Sequence, residues 1–417
     1  MSARPPDSVT VCTSITQNRP MINTKRVESI DMLRGMVMVI MALDHVRDYF
    51  HVTANTADPL DIASYNIPLY FTRWITHFCA PIFVLLSGTS IYLQRLRKTK
   101  KELGIFVLKR GLWLILAEWT LVAFAWTFNP FFNIFPFQVI WAIGISMVIL
   151  GILLLFNFSY TALLIIGSII VLGHNALDFV EAGEGFHANF WWDIFHTGFF
   201  KMYTITGNHH AMLVYPFVAW TGVMILGYCL GRLFEPAVPA EKRIKTLRYS
   251  GLALLLFFVV VRFTNWYGDP SDWTSQPTLT QTILSFIKVT KYPPSLMFLC
   301  VTIGVGLLAL SFLELAQNQF LHRMKTFGRT ALFYYILHLF LIHFIAVIFF
   351  FAHGHTMTDV WNIGQNFPFL FVVPGQGENL LTVYLVWLVV ILLLYPVCKW
   401  YDAYKTSHKE KWWLSYL

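Results

Sequence analysis

Long runs of apolar residues alternate with short polar stretches along almost the whole chain. A helix needs about 20 mostly apolar residues to cross the roughly 30 Å hydrocarbon core of a bilayer. Ten stretches come close to that length, near residues 30–50, 67–93, 103–125, 134–155, 158–175, 211–232, 247–265, 293–315, 328–352 and 379–402. The pattern predicts an all-α fold, a polytopic transmembrane bundle of about ten spans.

The distribution of Lys and Arg predicts how these spans are oriented. If the N-terminus is cytoplasmic, 24 of the 30 Lys and Arg residues fall on the cytoplasmic side and six on the outer side. Lys and Arg are enriched in the cytoplasmic segments of membrane proteins. We therefore expect both termini to be cytoplasmic.

Composition narrows the class of protein. Hydrophobic residues make up 57% of the 417 residues and charged residues 12%, against about 45–50% and 25% in soluble domains. A soluble two-domain enzyme is excluded, and membrane lipids are expected partners. The net charge of +8 follows from the topology, so we expect no nucleic-acid partner. Five cysteines without a CxxC pair indicate neither a disulfide framework nor a zinc module.

Polar segments flank the predicted membrane domain, which covers residues 26–403. Residues 1–25 are predicted to form a disordered tail, and they lack the apolar core of a cleavable signal peptide. Residues 404–417 are predicted to form a cytoplasmic C-terminal tail. The longest outer connections, 176–210 and 266–292, are rich in Trp, Asn, Gly and His. That composition suits a surface that meets a substrate outside the membrane.

The first span carries the strongest chemical signal, because ionisable side chains inside a bilayer are costly and often functional. At helical spacing, one stripe of this span contains Asp31, Arg34, Met38, His45 and Tyr49. We interpret His45 as a general base oriented by Asp48 or Asp44, and Arg34 as an anion clamp. The alternative is a polar cluster that merely ends the helix: Asp44, His45, Arg47 and Asp48.

Two later spans carry further candidates. Arg73 and His77 share a helix face in the outer half of the second span, where they would meet His45, although Arg73 could instead snorkel to the headgroups. Lys109 and Arg110 begin the third span and could bind the phosphates of a cytosolic cofactor, or simply set the topology. Glu118 lies deeper in that span, and we expect it to pair with an Arg.

Tyr334 and His338 lie one helical turn apart in the ninth span. They are either substrate-binding residues or a hydrogen-bonded pair in the core. Other histidine pairs, at 209–210 and at 353 and 355, lack a third ligand at a telling spacing, so no metal is expected. The sequence contains no Walker A, GxGxxG, HExxH or GxSxG motif.

Five segments in order resemble one family: RVESIDMLRGMVMVIMALDH, FTRWITHFCAPIFVLLSGTSIYL, YPFVAWTGVMILGYCLGRLF, KYPPSLMFL and FGRTALFYYILHLFLIH. They are similar to the heparan-α-glucosaminide N-acetyltransferase catalytic-domain family, in its bacterial branch. The resemblance spans residues 26 to about 350. It implies an integral-membrane acyltransferase of the bacterial cytoplasmic membrane that uses cytosolic acetyl-CoA and an acceptor on the far side.

The resemblance also implies roles for particular residues. Arg34, Lys109 and Arg110 would meet the phosphates of acetyl-CoA, and His45 would serve the acyl group and the acceptor. In the lysosomal member the histidine assigned to catalysis lies closer to the position of His51, which is therefore the second candidate. The remaining candidates, assigned to substrate binding, are Arg73, His77, Tyr334 and His338.

Two other function classes remain open at this point. A transporter or exporter of a saccharide or lipid-linked intermediate could use the same buried charges as a substrate path. A haem protein could use His45, His77 or His338 as axial ligands. The acyltransferase hypothesis expects a small-molecule or glycan acceptor, with either an amine or a hydroxyl as the acetylated group.

Overall fold

The structure is a computed structural model that describes residues 26–63, 66–316, 318–364 and 367–415. The predicted disordered tail, residues 1–25, lies outside the described residues. The α-helices are α1 Glu28–Phe50, α2 Ile67–Ile75, α3 Cys79–Gln94, α4 Lys100–Ala117, α5 Ala123–Thr127, α6 Val139–Leu155, α7 Tyr160–Gly173, α8 Ala176–Glu181, α9 Phe190–Trp192, α10 Phe217–Leu230, α11 Ala240–Thr264, α12 Leu279–Ile287, α13 Leu296–Leu313, α14 Gln319–Arg329, α15 Ala331–Ala352, α16 Met357–Gly364 and α17 Leu380–Ser407.

Each of the ten apolar stretches contains a helix, and the described chain is mostly helical as predicted. By length and composition alone, six helical segments of the described chain could cross a membrane: Ile67–Gln94, Phe217–Phe234, Ala240–Thr264, Leu296–Leu313, Ala331–Ala352 and Leu380–Ser407. The count of ten spans and the cytoplasmic placement of the termini stay predictions. The last helix continues four residues beyond the predicted domain end at 403.

A small β-sheet departs from the all-α prediction. Its strands are β1 Ile134–Phe137, β2 Lys201–Thr206 and β3 His209–Leu213, in the order β1-β3-β2. β1 pairs with β3 in parallel, and β2 pairs with β3 in antiparallel fashion. Two predicted spans, 134–155 and 211–232, therefore begin in strands. Strands of four to six residues are too short for their apolar pattern to be separated from the start of a helix.

Two of the apolar segments are interrupted helices. A 3₁₀ turn at Thr76–Phe78 joins α2 to α3, and a π turn at Glu118–Val122 joins α4 to α5. Single π turns inside helices often occur at functional sites. Both interruptions lie at polar residues that the sequence singled out, His77 and Glu118.

α1 is the central helix, because it contacts α3, α13, α14, α15 and α17. Its closest approach is to α14. A Cβ atom at Gly35 would lie 1.8 Å from the backbone oxygen of Met324, and one at Gly328 would lie 1.9 Å from that of Asp31. Only glycine permits two backbones to approach so closely. This crossing fixes the position of the helix that carries most of the candidate residues.

Candidate functional site

A cavity of about 610 Å³ lies beside the C-terminal half of α1. Its walls come from α1, from α2 and α3 with the 3₁₀ turn between them, and from the outer connections of the chain. Six of the predicted site residues line it: Asp44, His45, Asp48, His51, Arg73 and His77. Side chains from distant parts of the sequence thus meet at one cavity, as the helix-face argument predicted for Arg73 and His77.

His45 has a buried histidine as its partner. Its Nδ1 lies 2.7 Å from Nε2 of His338, and the two rings are nearly parallel with centroids 5.0 Å apart. Trp126 contacts the His45 ring edge-on at a centroid distance of 4.8 Å. His338 is not among the residues that line the cavity. It therefore lies behind His45 as seen from the cavity.

The hydrogen-bond pattern assigns the tautomers of both rings. Nδ1 of His338 lies 3.0 Å from the carbonyl oxygen of Tyr334, which can only accept, so this Nδ1 must donate. In a neutral His338 the Nε2 atom then accepts, and Nδ1 of His45 donates to it. Nε2 of His45 is left with a lone pair, and it makes no hydrogen bond to any described residue.

The prediction that Asp48 orients His45 is therefore wrong. Asp48 does not hydrogen-bond to His45 but pairs with Arg47, whose Nη2 lies 2.5 Å from its Oδ1. A guanidinium is a stronger partner for a carboxylate than a neutral imidazole is. The residue that orients His45 comes from α15 instead of α1.

Asp44 lies at the centre of a buried ionic cluster, which consists of Asp44, Arg47, Asp48, Arg73 and Lys291. Its Oδ2 lies 2.5 Å from Nη1 of Arg73 and 3.9 Å from Nζ of Lys291, and its Oδ1 lies 3.0 Å from Nη2 of Arg47. Arg73 thus points inward to a carboxylate and does not snorkel. The sequence analysis did not identify Lys291 as a site residue. The one feature that could have indicated it is that Lys291 begins KYPPSLMFL, one of the five segments that resemble the family.

His51 and His77 occupy different parts of the cavity wall. His51 follows the last residue of α1, and its Nδ1 lies 2.8 Å from the hydroxyl of Thr53. His77 is 2% exposed and packs edge-on against Phe298. Its Nδ1 has no hydrogen-bond partner in the described part of the chain. Of these residues and His45, only His45 contacts a second imidazole.

Tyr334 does not form the side-chain pair with His338 that was one of its predicted roles. The two rings stack at 5.1 Å, and the hydrogen bond runs from His338 to the backbone carbonyl of Tyr334. The Tyr334 hydroxyl is buried without a partner among the described residues. Tyr334 is not part of the cavity lining, so neither it nor His338 is placed to touch a molecule there.

A second group of charges lies toward the N-terminal end of α1. Arg34 lies 2.5 Å from the Ser90 hydroxyl and 3.3 Å from Oδ1 of Asp31. Arg110 and Lys405 are close enough to Arg34 for direct charge repulsion. The predicted basic residues Arg34 and Arg110 thus come together, and Lys405 is a further member that sequence reasoning missed. Lys109 is exposed on α4.

Glu118 has no Arg partner among the residues that the structure describes, contrary to expectation. It is fully buried in the π turn and accepts the backbone N–H of Trp141 at 3.2 Å, at the start of α6. Helix N-termini carry unpaired N–H groups and a partial positive charge. The N-terminal end of α6 therefore provides the partner of Glu118 that was expected to be an Arg side chain.

Three possible metal-ligand side chains meet on an outer connection: Asp178, Glu181 and His196. Nδ1 of His196 lies 2.6 Å from Oε1 of Glu181, and that oxygen also accepts the indole N–H of Trp192. The group therefore has an internal hydrogen-bond network without an ion. The expectation that no metal is needed stays a prediction.

Residues 26–262, more than half of the chain, match the family model described as heparan-alpha-glucosaminide N-acetyltransferase, catalytic. The chain belongs to this family. It is accordingly a multi-pass membrane protein of an acetyltransferase family. The matched region contains His45, Arg73 and His77, whereas Lys291 and His338 follow it. No curated protein matches the chain.

Proposed function

We propose that the protein is a membrane-embedded acyltransferase that moves an acetyl group from cytosolic acetyl-CoA to an amine or hydroxyl on an extracytoplasmic sugar or glycan. Residues 26–403 form the catalytic unit in this proposal, with ten spans, both termini in the cytoplasm and a place in the bacterial cytoplasmic membrane. The family supports acetyl transfer as the reaction class. The acyl donor and the acceptor are proposed here in addition to that reaction class.

The observation that carries the proposal is the lone pair on Nε2 of His45. His338 fixes the tautomer from behind, and His45 lines the cavity. Nε2 is therefore poised to take a proton from an acceptor as its nitrogen or oxygen attacks the thioester carbonyl carbon. The carbon–sulfur bond then breaks, and the proton on Nε2 passes to the departing thiolate. General base catalysis of this kind contributes about 10²–10⁴-fold.

The basic group at the other end of α1 supports a cytosolic donor. Arg34 and His45 are eleven residues apart, or about 16 Å along a helix. Arg34, Arg110 and Lys405 form a basic group with Asp31 and Asp402 beside it, and guanidinium and ammonium groups commonly bind anionic phosphates. Lys109 would add a fourth, exposed cation on the same helix as Arg110. The acetyl end of the donor would extend toward His45.

The test is transfer of radiolabelled acetyl groups from acetyl-CoA to a panel of amino sugars and cell-envelope glycans by the purified protein. His45→Ala should abolish transfer, because no described residue can replace its oriented lone pair. His187→Ala is the matched control, since His187 is an exposed histidine on an outer connection, and it should retain transfer. Loss of transfer in His51→Ala alone would contradict the role of His45.

Direct transfer has a separate kinetic signature. Without an acceptor, the protein should not exchange label between acetyl-CoA and free CoA, because no acyl-enzyme forms. Rapid exchange would indicate an acyl-histidine intermediate. Acceptor flux across a membrane without acetyl-CoA would instead support the transporter hypothesis.

A further inference from the structure

Lys291 brings a cation with unused hydrogen-bond donors to the wall of the cavity. The residue is 8% exposed and lines the cavity. Its Nζ lies 3.9 Å from Oδ2 of Asp44, which is too far for a hydrogen bond. Its other close contact is with the ring of Tyr292, whose centroid is 5.1 Å away. The three N–H donors of the ammonium therefore have no acceptor among the residues that the structure describes.

Lys291 lies near the candidate base. Asp44, which faces the ammonium, directly precedes His45 on α1. The ammonium is also close enough to the His45 ring for a direct charge interaction. Both residues line the cavity, and neither Nε2 of His45 nor Nζ of Lys291 has a hydrogen bond to a described residue. A molecule in the cavity can therefore meet a base and a cation on one wall.

The ionic cluster holds the Lys291 cation without occupying its donors. Oδ2 of Asp44 already pairs with Arg73 at 2.5 Å, and its Oδ1 lies 3.0 Å from Nη2 of Arg47. Asp44 thus attracts the ammonium electrostatically while its oxygens are paired with guanidinium groups. The Tyr292 ring also attracts the charge and leaves the donors available. A fixed cation with unoccupied donors is well suited to stabilise negative charge as it develops in a reaction.

We propose that Lys291 is a catalytic residue that donates a hydrogen bond to the carbonyl oxygen of the thioester. This role rests on the proposed function and specifies which group stabilises its transition state. As the acceptor nitrogen or oxygen bonds to the carbonyl carbon, the π electrons of the carbonyl move onto its oxygen. That oxygen becomes negative beside the ammonium, which keeps its own proton throughout.

The charges of this step balance. The acceptor gives its proton to Nε2 of His45, so the ring becomes positive as the carbonyl oxygen becomes negative. The carbonyl double bond then re-forms, the carbon–sulfur bond breaks, and the proton on Nε2 passes to the departing thiolate. Both new charges disappear together, and Lys291 ends the reaction as it began. Loss of one donor from a site of this kind typically lowers kcat about 10²–10³-fold.

Acetyl transfer to glucosamine by the full chain in phosphatidylcholine nanodiscs tests this role. Lys291→Met keeps the length of the side chain but removes its charge and donors. It should lower kcat about 10²–10³-fold, with little change in the Kd for acetyl-CoA or the KM for glucosamine. Asp44 keeps Arg47 and Arg73 as partners in this variant, so the fold should persist. Lys291→Arg keeps a cationic donor and should recover part of the lost rate.

A second acyl donor locates the atom that the ammonium contacts. The probe is the dithioester analogue of acetyl-CoA, in which sulfur replaces the carbonyl oxygen and accepts hydrogen bonds poorly. The ratio of kcat for acetyl-CoA to kcat for the dithioester should be about tenfold larger in wild type than in Lys291→Met. A lysine with a purely structural role would leave this ratio unchanged.

Lys242→Met is the matched control, because Lys242 is exposed on α11 and lies outside the cavity. It should have the kcat and the donor ratio of wild type. If Lys291→Met does not fold, Lys291→Gln replaces it. Its neutral amide is a weaker donor than an ammonium, so kcat and the donor ratio should change in the same direction.

The inference and the proposed function fail separately. Wild-type kcat or a wild-type donor ratio in the folded Lys291 variant would overturn the role of Lys291 and leave the acyltransferase in place. A higher KM for glucosamine at constant kcat would also overturn it, because Lys291 would then bind the acceptor. No transfer by wild type to glucosamine or to any other acceptor of the panel would remove the proposed function, and the role of Lys291 with it.

Discussion

At the residue scale, the buried pair of His45 and His338 supports the proposed role of His45 as a base. The proposed reaction needs His45 in its neutral form, in which one ring nitrogen keeps a lone pair. The pairing puts that lone pair on Nε2, because Nδ1 of His45 donates to His338. A carboxylate in place of His338 would have put a negative charge next to the His45 ring.

His338→Phe tests this positioning role. The phenyl ring fills the space but cannot accept a hydrogen bond, so His45 loses its fixed tautomer. We expect kcat to fall about 10- to 100-fold, by analogy with residues that orient metal-bound imidazoles, with little change in KM for the acceptor. The pH dependence of kcat should change as well, which a purely structural residue would not cause.

His353→Phe is the control for that substitution, because His353 is an exposed histidine at the C-terminal end of the same helix. It should leave kcat and its pH dependence unchanged. An increase in acceptor KM in His338→Phe at constant kcat would instead make His338 a substrate-binding residue, as the sequence first suggested.

The residues of the cavity were partly predictable. His45, Asp44, Asp48 and the Arg73–His77 pair follow from helical spacing and from the cost of burying polar groups. Their partners did not follow, because His45 and His338 are 293 positions apart and only tertiary packing brings them together. Spacing on one helix suggested Asp48 as the partner, but a nearer guanidinium binds that carboxylate.

At the element scale, the crossing of α1 and α14 sets the position of the whole site. Gly35→Ala or Gly328→Ala would place a methyl group within 2 Å of a backbone oxygen on the facing helix. Overpacking of this kind costs about 1–3 kcal/mol or more, and we expect a lower thermal midpoint in detergent for either variant. Thermal unfolding followed by circular dichroism measures it.

Gly173→Ala is the internal control, since a Cβ atom at Gly173 would meet nothing within 4 Å. That variant should unfold at the wild-type temperature or slightly above it. A normal midpoint for Gly35→Ala would contradict the close backbone contact.

The outer connection before β2 depends on Asp193. Burial alone would raise the pKa of this carboxyl, but hydrogen bonds from Lys201, Tyr203 and Thr197 outweigh it and hold the pKa below the ordinary value. Burial and the carboxylate also raise the pKa of Tyr203 to about 12. The contacts tie the turn to the strand on either side of Phe199 and Phe200, which line the cavity.

A lowered pKa means that ionised Asp193 stabilises the fold above its unfolded pKa of about 3.9. That contribution disappears as the pH falls through the lower, folded value. Asp193→Asn should therefore destabilise the protein at pH 7, and its difference from wild type should shrink below about pH 4. Thermal midpoints across that range check this, with exposed Glu184 (Glu184→Gln) as the control. A pH-independent difference would contradict it.

Helix positions were predictable from the length of the apolar runs, but the interruptions were not. The 3₁₀ turn at Thr76–Phe78, the π turn at Glu118–Val122 and the three short strands involve a few residues each. Their surroundings include contacts with residues far along the chain, as when the backbone N–H of Trp141 donates to the side-chain carboxylate of Glu118. Hydrophobic periodicity predicts secondary structure and does not predict such contacts.

At the scale of the whole molecule, the site has two ends along α1. A basic group surrounds Arg34 at one end, and the polar cavity surrounds His45 at the other. The proposed topology puts the first end in the cytoplasm and the second toward the outer face. An acetyl group would then cross the membrane by passing from one end to the other, without movement of the whole donor.

Cysteine labelling tests that topology. Gly185 and Lys101 are exposed on predicted outer and inner connections, respectively. In intact cells, a membrane-impermeant maleimide should label Gly185→Cys, whereas Lys101→Cys should react only after permeabilisation. The described native cysteines are buried, so they should add little background. Labelling of Lys101→Cys in intact cells would contradict the ten-span arrangement.

The most direct test of transmembrane acyl transfer uses sealed proteoliposomes with the C-terminus of the protein on the outside. Labelled acetyl-CoA is supplied outside the vesicles and glucosamine, as an amino-sugar acceptor, inside. Wild type should produce acetylated sugar inside the vesicles, and His45→Ala should produce none. Product that forms only when donor and acceptor share one compartment would contradict transfer across the membrane.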